Sequence, residues 1–321
     1  MPLDLVIARR IDDCGAIMLL DLVAADGGAL PPFAAGAHVE VEIPAPGGSK
    51  PLLRQYSLCG DPAERHRYRL GILRDPQSRG GSAALHDFTE VGQTLRVAEP
   101  RNLFPLDEAA ELSILVGGGI GVTPILAMAH ALHAQGKDFV LHYCTRSAAR
   151  TAFLGELDAL PFRDRILLHH DDAPEAERLI PARDLAPVGP GTHLYVCGPS
   201  GFMDWVIAEA RDAGFAEPQI HREYFTAEVD ASGGGFEVVA ARSGLTLQVE
   251  EGTPIVVALA RAGIEVTTSC EKGICGSCVV DVLEGTPDHR DSFLTEDERA
   301  EGDQILVCCS RSKGPRLVLD L

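Results

Sequence analysis

Ser269-Cys270-Glu271-Lys272-Gly273-Ile274-Cys275-Gly276-Ser277-Cys278 places three cysteines in the pattern C-x4-C-x2-C, and Cys308 and Cys309 follow about thirty residues later. This is the spacing of a loop that holds a 2Fe–2S cluster through four thiolates. Two irons bridged by sulfides need two outer thiolates each, so three sulfurs come from one tight loop and the fourth from elsewhere. Gly273 and Gly276 let the backbone bend around such a cluster and aim amide N–H groups at its sulfurs. A structural zinc site would more often show paired C-x2-C units at longer separation. Disulfides are disfavoured in a chain without a secretion signal. Spacing leaves the fourth ligand open between Cys308 and Cys309. Neighbours in a strand face opposite sides, so only one of them can point at the cluster.

The chain has 321 residues, enough for two or three domains, with 45% hydrophobic and 5% aromatic residues. Its formal charge of −19 argues against nucleic acid or an anionic membrane surface as partner and allows a basic partner protein. No run approaches the length of a membrane span. The start, Met1-Pro2-Leu3-Asp4-Leu5-Val6-Ile7-Ala8-Arg9-Arg10, has no basic region followed by an apolar one, so a cytoplasmic protein is expected. The nine cysteines are then free thiols or metal ligands, with Cys14, Cys59 and Cys144 as spectators.

Upstream of the cysteine loop, Ser232-Gly233-Gly234-Gly235 reads as a linker. Phe236-Glu237-Val238-Val239 and Leu245-Thr246-Leu247-Gln248-Val249 read as a hairpin, followed by a helix around 254–262. Before the linker, Ser113-Ile114-Leu115-Val116 is a short buried strand running into Gly117-Gly118-Gly119-Ile120-Gly121-Val122-Thr123-Pro124. A helix is expected from Ile125 to about Ala134, with Thr123 as its cap and Pro124 in its first turn. Strand, glycine loop and helix bring backbone close to a pyrophosphate, although the spacing is not a clean G-x-G-x-x-G. Further strands at 139–144, 166–170 and 193–197 and a helix at 202–212 indicate a parallel α/β sheet. Its ligand crevice is expected at the strand C-termini, where Thr145, Arg146, Asp171, Cys197 and Gly198 lie. Asp171-Asp172 disfavour a 2′-phosphate, which points to NADH, while Thr145-Arg146-Ser147 could receive one. His169 and His170 show no metal-ligand set and read as structural.

Residues 1–105 read as short strands with turn signals, including the alternating His38-Val39-Glu40-Val41-Glu42-Ile43, and suit a small antiparallel barrel. Arg54-Gln55-Tyr56-Ser57-Leu58 puts a cation, an aromatic ring and a hydroxyl at a strand end. Ser78-Arg79-Gly80-Gly81-Ser82 leads into a helical pattern whose N-terminus can wrap an anion, with Arg79 or Arg54 adding charge. Taken singly, each is more often a turn or a surface charge cluster.

Together these two stretches resemble the R-x-Y-S and R-G-G-S flavin signatures of the ferredoxin–NADP reductase-like flavoproteins. Cys197-Gly198-Pro199-Ser200-Gly201-Phe202-Met203 resembles the C-G-P-x-x-x-M signature of the same group. The C-terminal segment resembles a β-grasp plant-type ferredoxin over its full length, with Asp288-His289-Arg290-Asp291 and Cys308-Cys309-Ser310-Arg311-Ser312 adding to the match. Barrel, nucleotide fold and C-terminal ferredoxin, in that order, is similar to the phthalate dioxygenase reductase and vanillate demethylase reductase family. The resemblance spans essentially the whole chain.

The resemblance implies an FMN-binding barrel over 1–105, an NAD-binding α/β domain over 106–228, a linker over 229–235 and a 2Fe–2S ferredoxin domain over 236–321. It implies flavin contacts from Arg54, Gln55, Tyr56, Ser57, Gly71, Ile72, Leu73, Arg79, Gly80, Gly81 and Ser82. Nucleotide contacts fall to Gly118, Gly119, Thr123, Thr145, Arg146, Asp171, Cys197, Gly198 and Pro199. Thr123, Cys197 and Phe225 are expected to bound the place where hydride passes from NADH to the flavin. The cluster is expected on Cys270, Cys275, Cys278 and, by the family pattern, Cys308; the extra Cys309 departs from that pattern. The implied activity is an NADH-dependent reductase that passes single electrons to a separate Rieske-type terminal oxygenase, a demethylase or dioxygenase, as a monomer. The rivals are a stand-alone NAD(P)H reductase and a non-enzymatic redox sensor. A reductase serving a diiron oxygenase more often carries its ferredoxin N-terminally.

Overall fold

The computed structural model describes residues 2–43, 51–76, 80–225 and 230–321. The chain divides into two compact units, Met1–Phe225 and Thr226–Leu321.

The first unit opens with β1 (Leu3–Asp12), β2 (Ile17–Ala24), β3 (Ala37–Ile43), β4 (Leu52–Ser57), β5 (Tyr68–Leu73), β6 (Thr94–Val97) and β7 (Arg101–Asn102). They form one antiparallel sheet in the order β4-β3-β6-β1-β2-β5, with β7 beside β3. A bridge between Leu58 and Leu70 joins the two ends, so the sheet is a nearly closed barrel. Period-two alternation puts Val39, Val41 and Ile43 inside and leaves Glu40 and Glu42 toward solvent. The helix α1 (Gly81–Phe88) lies between β5 and β6 in the chain.

The rest of this unit is a parallel sheet of β8 (Leu112–Gly118), β9 (Asp138–Thr145), β10 (Ile166–His170), β11 (Thr192–Gly198) and β12 (Ile220–Tyr224), in the order β10-β9-β8-β11-β12. The chain winds outward from β8 to β10 and then returns to place β11 on the other side of β8. The order therefore reverses between β8 and β11, and the ends of those two strands open a crevice where ligands bind in such sheets. The helix α2 (Val122–Ala134) is buried along most of its length and belongs to the same apolar core as the barrel. The short helices α3 (Leu154–Leu157) and α4 (Pro181–Asp184) follow β9 and β10, and α5 (Ser200–Asp212) covers the opposite face through Met203, Val206, Ile207 and Ala210. A buried arginine also ties barrel to sheet. Arg69 on β5 donates to Asp21 Oδ1 and Oδ2 at 2.7 and 2.9 Å and reaches Glu156 in α3.

The sequence places the start of α2 too late. A 3-10 turn over Gly119–Gly121 runs straight into the helix, so Thr123 is its second residue, not its cap, and its hydroxyl donates back to the Ile120 carbonyl at 2.9 Å.

The second unit contains β13 (Phe236–Ala240), β14 (Leu245–Val249), α6 (Ile255–Arg261), β15 (Val279–Glu284), β16 (Pro287–Asp288), α7 (Glu296–Glu301), β17 (Gln304–Leu306), β18 (Arg311–Ser312) and β19 (Arg316–Leu319). Its main sheet runs β14-β13-β19-β15-β17, with β13 and β19 parallel and α6 packed through Ile255, Ala258 and Leu259. This is the expected β-grasp arrangement. Thr295 caps α7 by accepting the Glu298 amide, and Gly302 ends it in a left-handed conformation.

Candidate redox site

Three groups of residues stand out, two in the first unit and one in the second. The first lies at the edge of the barrel. A Cβ on Gly81 would stand 2.8 Å from Arg54 Cγ and 2.9 Å from Arg54 Nε, so the Arg54 side chain lies across the first residue of α1. Gly80 turns the chain into that helix with φ +92°, a conformation that favours glycine. The Ser82 hydroxyl accepts the Asp75 amide at 3.2 Å. A cation beside a helix N-terminus is an arrangement that could hold a phosphate group. Gln55, Tyr56 and Ser57 follow Arg54 along β4. Leu73 is exposed, Ile72 is turned into the barrel core, and Gly71 faces α2, where a Cβ would meet Thr123 Cγ2 at 2.9 Å. Arg79, expected here, lies outside the described residues.

The second group sits at the switch between β8 and β11. A Cβ on Gly121 would be 2.4 Å from the Cys197 carbonyl oxygen, and one on Gly118 would be 2.7 Å from the Phe202 ring and 3.2 Å from Pro199. A Cβ on Gly198 would stand 3.0 Å from Gly118 Cα. These glycines are needed for backbone to pass backbone. A Cβ on Gly119, which has φ +53°, would meet nothing within 4 Å. Cys197 is fully buried, which pushes its thiol well above the ordinary range, with the Glu223 carboxylate adding to the effect. Phe225, after β12, is half-buried against the shared core. At the ends of β9 and β10, the Thr145 hydroxyl meets those of Thr151 at 2.7 Å and His170 Nδ1 at 2.9 Å, while Arg146 and Asp171 are exposed.

One residue that sequence reasoning missed joins these two groups. Glu223 on β12 pairs in register with Cys197, and Ser57 Oγ donates to its Oε2 at 3.3 Å. Burial pushes the Glu223 carboxyl up to about 8, against the opposing effect of the Ser57 hydrogen bond. At neutral pH it therefore holds a proton next to a hydroxyl at the barrel edge. The only local signal was a glutamate among the half-buried residues of a short strand.

The third group is the cysteine loop. The thiols of Cys270 and Cys275 contact one another, and that of Cys308 contacts those of Cys278 and Cys309. With Cys309 set aside, the other four form a two-plus-two arrangement. Among the described residues no three cysteine sulfurs gather within the 4.8 Å of a mononuclear site. The set fits a two-iron cluster and does not fit a single tetrahedral zinc. The hydrogen bond from Cys270 pulls the Cys275 thiol below its ordinary range, and the Lys272 amide donates to Cys270 Sγ at 3.3 Å. Such N–H···S bonds tune a cluster's potential. Gly273 and Gly276 have φ +74° and +71°, and a Cβ on either would collide with Cys309 Sγ at 2.5 Å or the Phe293 ring at 2.3 Å. Cys309 thus lies behind the loop, against Gly273 and Cys308. The buried Asp291 carboxylate accepts the Phe293 and Leu294 amides at 3.1 and 2.8 Å, and Ser292 N donates to Gly273 O at 2.9 Å, which braces the loop from below.

Two His–His–Asp groups also occur, Asp107 with His193 and His221, and Asp184 with His142 and His169. In each, the facing ring nitrogens are 2.9 Å apart in rings tilted by only 14° and 23°. That is a head-on imidazole–imidazole hydrogen bond, and it leaves no point at which two lone pairs converge on an ion.

The family model of the 2Fe-2S iron-sulfur cluster binding domain matches residues 238–313, and that of the oxidoreductase NAD-binding domain matches 115–207. The chain is 50% identical to a vanillate O-demethylase oxidoreductase of Pseudomonas sp. strain HR199, covering 95% of both chains. It is 40% identical to a phthalate dioxygenase reductase of Burkholderia cepacia, covering 99% of this chain and 97% of the relative. Among solved structures, a phthalate dioxygenase reductase aligns over 100% of this chain and 98% of its own with TM-score 0.75 and 39% identity. An intact self-sufficient cytochrome P450 monooxygenase aligns with TM-score 0.83 and 37% identity, over 41% of its length. No helix among the described residues is long and apolar enough to cross a membrane. With a barrel, a nucleotide switch point and a paired-thiol loop in one chain, and relatives matched end to end, the protein belongs to the phthalate dioxygenase reductase and vanillate O-demethylase oxidoreductase family of NAD-binding, 2Fe–2S oxidoreductases.

Proposed function

We propose that this protein is the NADH-dependent reductase component of a two-component oxygenase system, with FMN in the barrel and a separate Rieske-type terminal oxygenase as acceptor. The observation that carries the reading is the two-plus-two thiol arrangement in a chain that also holds a nucleotide switch point. A pair-electron donor and a one-electron acceptor are thereby built into one protein. Bound FMN would supply the conversion of a two-electron hydride donor into single electrons, and a bound 2Fe–2S cluster would supply their one-by-one relay to the acceptor.

The chain's own residues bind, orient and exclude water. Arg54, Gly80, Gly81 and Ser82 hold the flavin phosphate at the N-terminus of α1. Gln55, Tyr56 and Ser57 line the ring, with Gly71, Ile72 and Leu73 supplying backbone along its edge and Arg79 further charge. Glu223 holds the Ser57 hydroxyl in place and keeps a proton beside the ring. Gly118, Gly119, Gly198 and Pro199 let the dinucleotide approach the sheet ends, and Thr123, Cys197 and Phe225 bound the nicotinamide. Asp171 accepts ribose hydroxyls and repels a 2′-phosphate, with Thr145 and Arg146 alongside. Cys270 and Cys275 hold one iron, Cys278 and Cys308 the other. A monomer in the cytoplasm completes the reading.

Reconstitution tests it. NADH, this protein and the oxygenase component of a vanillate demethylase or phthalate dioxygenase are mixed without oxygen, and the oxygenase's Rieske signal is followed by EPR. Appearance of the reduced Rieske signal only in the complete mixture is expected. NADH oxidation with cytochrome c but no transfer to either Rieske centre would favour a stand-alone reductase.

A further inference from the structure

The glycine run before the ferredoxin unit has the composition of a flexible linker. In the structure it is held down by two arginines from the far end of the cluster unit. Arg290 Nη1 donates to the carbonyls of Asp230 and Ser232 at 2.6 and 2.8 Å, while its Nε and Nη2 are fixed by Asp288 Oδ2 at 2.9 and 2.7 Å. Arg311 donates to the carbonyls of Thr253, Gly233, Gly234 and Glu250 at 2.8 to 3.4 Å, and its guanidinium lies 5.1 Å over the Phe236 ring. It is 2% exposed, and every hydrogen bond described for its side chain goes to a main-chain carbonyl. Burying a guanidinium is costly unless its N–H groups are satisfied. Here they are satisfied by pinning residues 233–234 against the turn at 250–253. The Ala231 carbonyl adds a bond from Gly252 N at 3.2 Å. Both arginines sit beside the turn that carries Cys308 and Cys309: Arg290 N donates to Ser310 Oγ at 3.1 Å, and Arg311 is the next residue.

We infer that Arg290 and Arg311 are positioning residues for electron delivery: by clamping residues 230–235 onto the ferredoxin unit, they shorten the tether between the NADH-oxidising unit and the cluster. This rests on the flavin-to-cluster relay proposed above. The first unit ends at Phe225. With the clamp closed, the link from there to the held segment runs only to Asp230, five steps, which can span about 18 Å at most. With the clamp open it runs to Phe236, eleven steps and about 40 Å. The volume open to the cluster unit grows about tenfold, and its effective concentration at the electron donor falls by up to the same factor.

The test uses Arg290→Gln, Arg311→Gln and wild-type holoprotein, mixed with NADH without oxygen in a stopped-flow instrument. Flavin and cluster bleaching are followed separately, with reduced-cluster EPR and limited proteolysis across 230–235 alongside. Expected are faster cleavage of the segment, an unchanged rate of flavin reduction, an unchanged EPR signal and cluster reduction slowed about three- to tenfold. Arg290 is the less buried residue, so Arg290→Gln decides the matter if Arg311→Gln does not fold. A cleaved segment with cluster reduction at the wild-type rate overturns the inference. So does a slowed rate accompanied by an altered EPR signal, because the arginines would then act through the cluster's surroundings. Wild-type protein without a flavin band would contradict the relay itself, and the inference with it.

Discussion

The two glycine-rich loops of this protein use the same residue for different reasons. In the loop after β8, Gly118 and Gly121 have ordinary negative φ angles of −100° and −62° and are required because a Cβ would strike Phe202 or the Cys197 carbonyl. In the cysteine loop, Gly273 and Gly276 are required twice over, by positive φ and by the groups packed behind them. The nucleotide loop is thus a close crossing of two strands, which a ligand can approach. The cysteine loop is a coil wound on a hard backing of Phe293, Cys309 and Asp291. The lesson is that the first loop's integrity depends on the sheet, while the second depends on its own unit.

Substitutions can break or sharpen that contrast. The largest effect is expected for Cys275→Ala. Loss of one of four thiolates should abolish the cluster's visible band and EPR signal and remove cytochrome c reduction, while NADH-driven flavin bleaching stays within about twofold. Loss of both activities in a folded, flavin-loaded protein would contradict the separation. Next is Gly121→Ala. A methyl 2.4 Å from a backbone oxygen should cost the first unit about 1–3 kcal/mol. The chain's one tryptophan, Trp205 in α5, reports unfolding of that unit in urea, and the cluster EPR signal should not change. Arg54→Ala removes a charged hydrogen-bonding group worth about 1.5–3 kcal/mol. Flavin should then bind about ten- to a hundredfold more weakly, measured by its release on dilution, and a variant that stays fully yellow would displace the phosphate cradle.

A pH-dependent effect, absent at low pH, belongs to Glu223. Its carboxyl is raised in the folded protein from the ordinary 4.5 to about 8, so between those values the folded state binds more protons than the unfolded state. Stability of the first unit should be greatest below pH about 4.5 with respect to this group and should fall as pH rises through about 8, at no more than about 1.4 kcal/mol per pH unit. Glu223→Gln should flatten that part of the curve; an unchanged curve by Trp205 fluorescence would mean the carboxyl is not held protonated. The least is expected of Gly119→Ala, where only the positive φ opposes the change, at about 1 kcal/mol.

The same contrast explains what could be read from the sequence. The cysteine loop was legible because its ligands are local, and their spacing alone separates a two-iron cluster from zinc. The parallel sheet was legible from short apolar strands, each followed by glycine or a helix. Glu223 was not, because its partner Ser57 stands 166 residues away and meets it only through the register of β11 with β12. Thr123 has the composition of a cap, and the 3-10 turn before it moved the helix start by steric packing that no window of residues contains. The run 232–235 has linker composition, yet two arginines some sixty to eighty residues downstream decide its state. Local chemistry was visible, whereas roles assigned by distant partners were not.

An anaerobic titration of the purified protein with NADH, read by visible absorbance and low-temperature EPR with released flavin identified by chromatography, tests the central claim most directly. The account predicts bleaching of a flavin band and of a broad iron–sulfur band, a rhombic signal from the reduced cluster, and FMN on release. A protein that carries iron but no flavin and does not respond to NADH would contradict it.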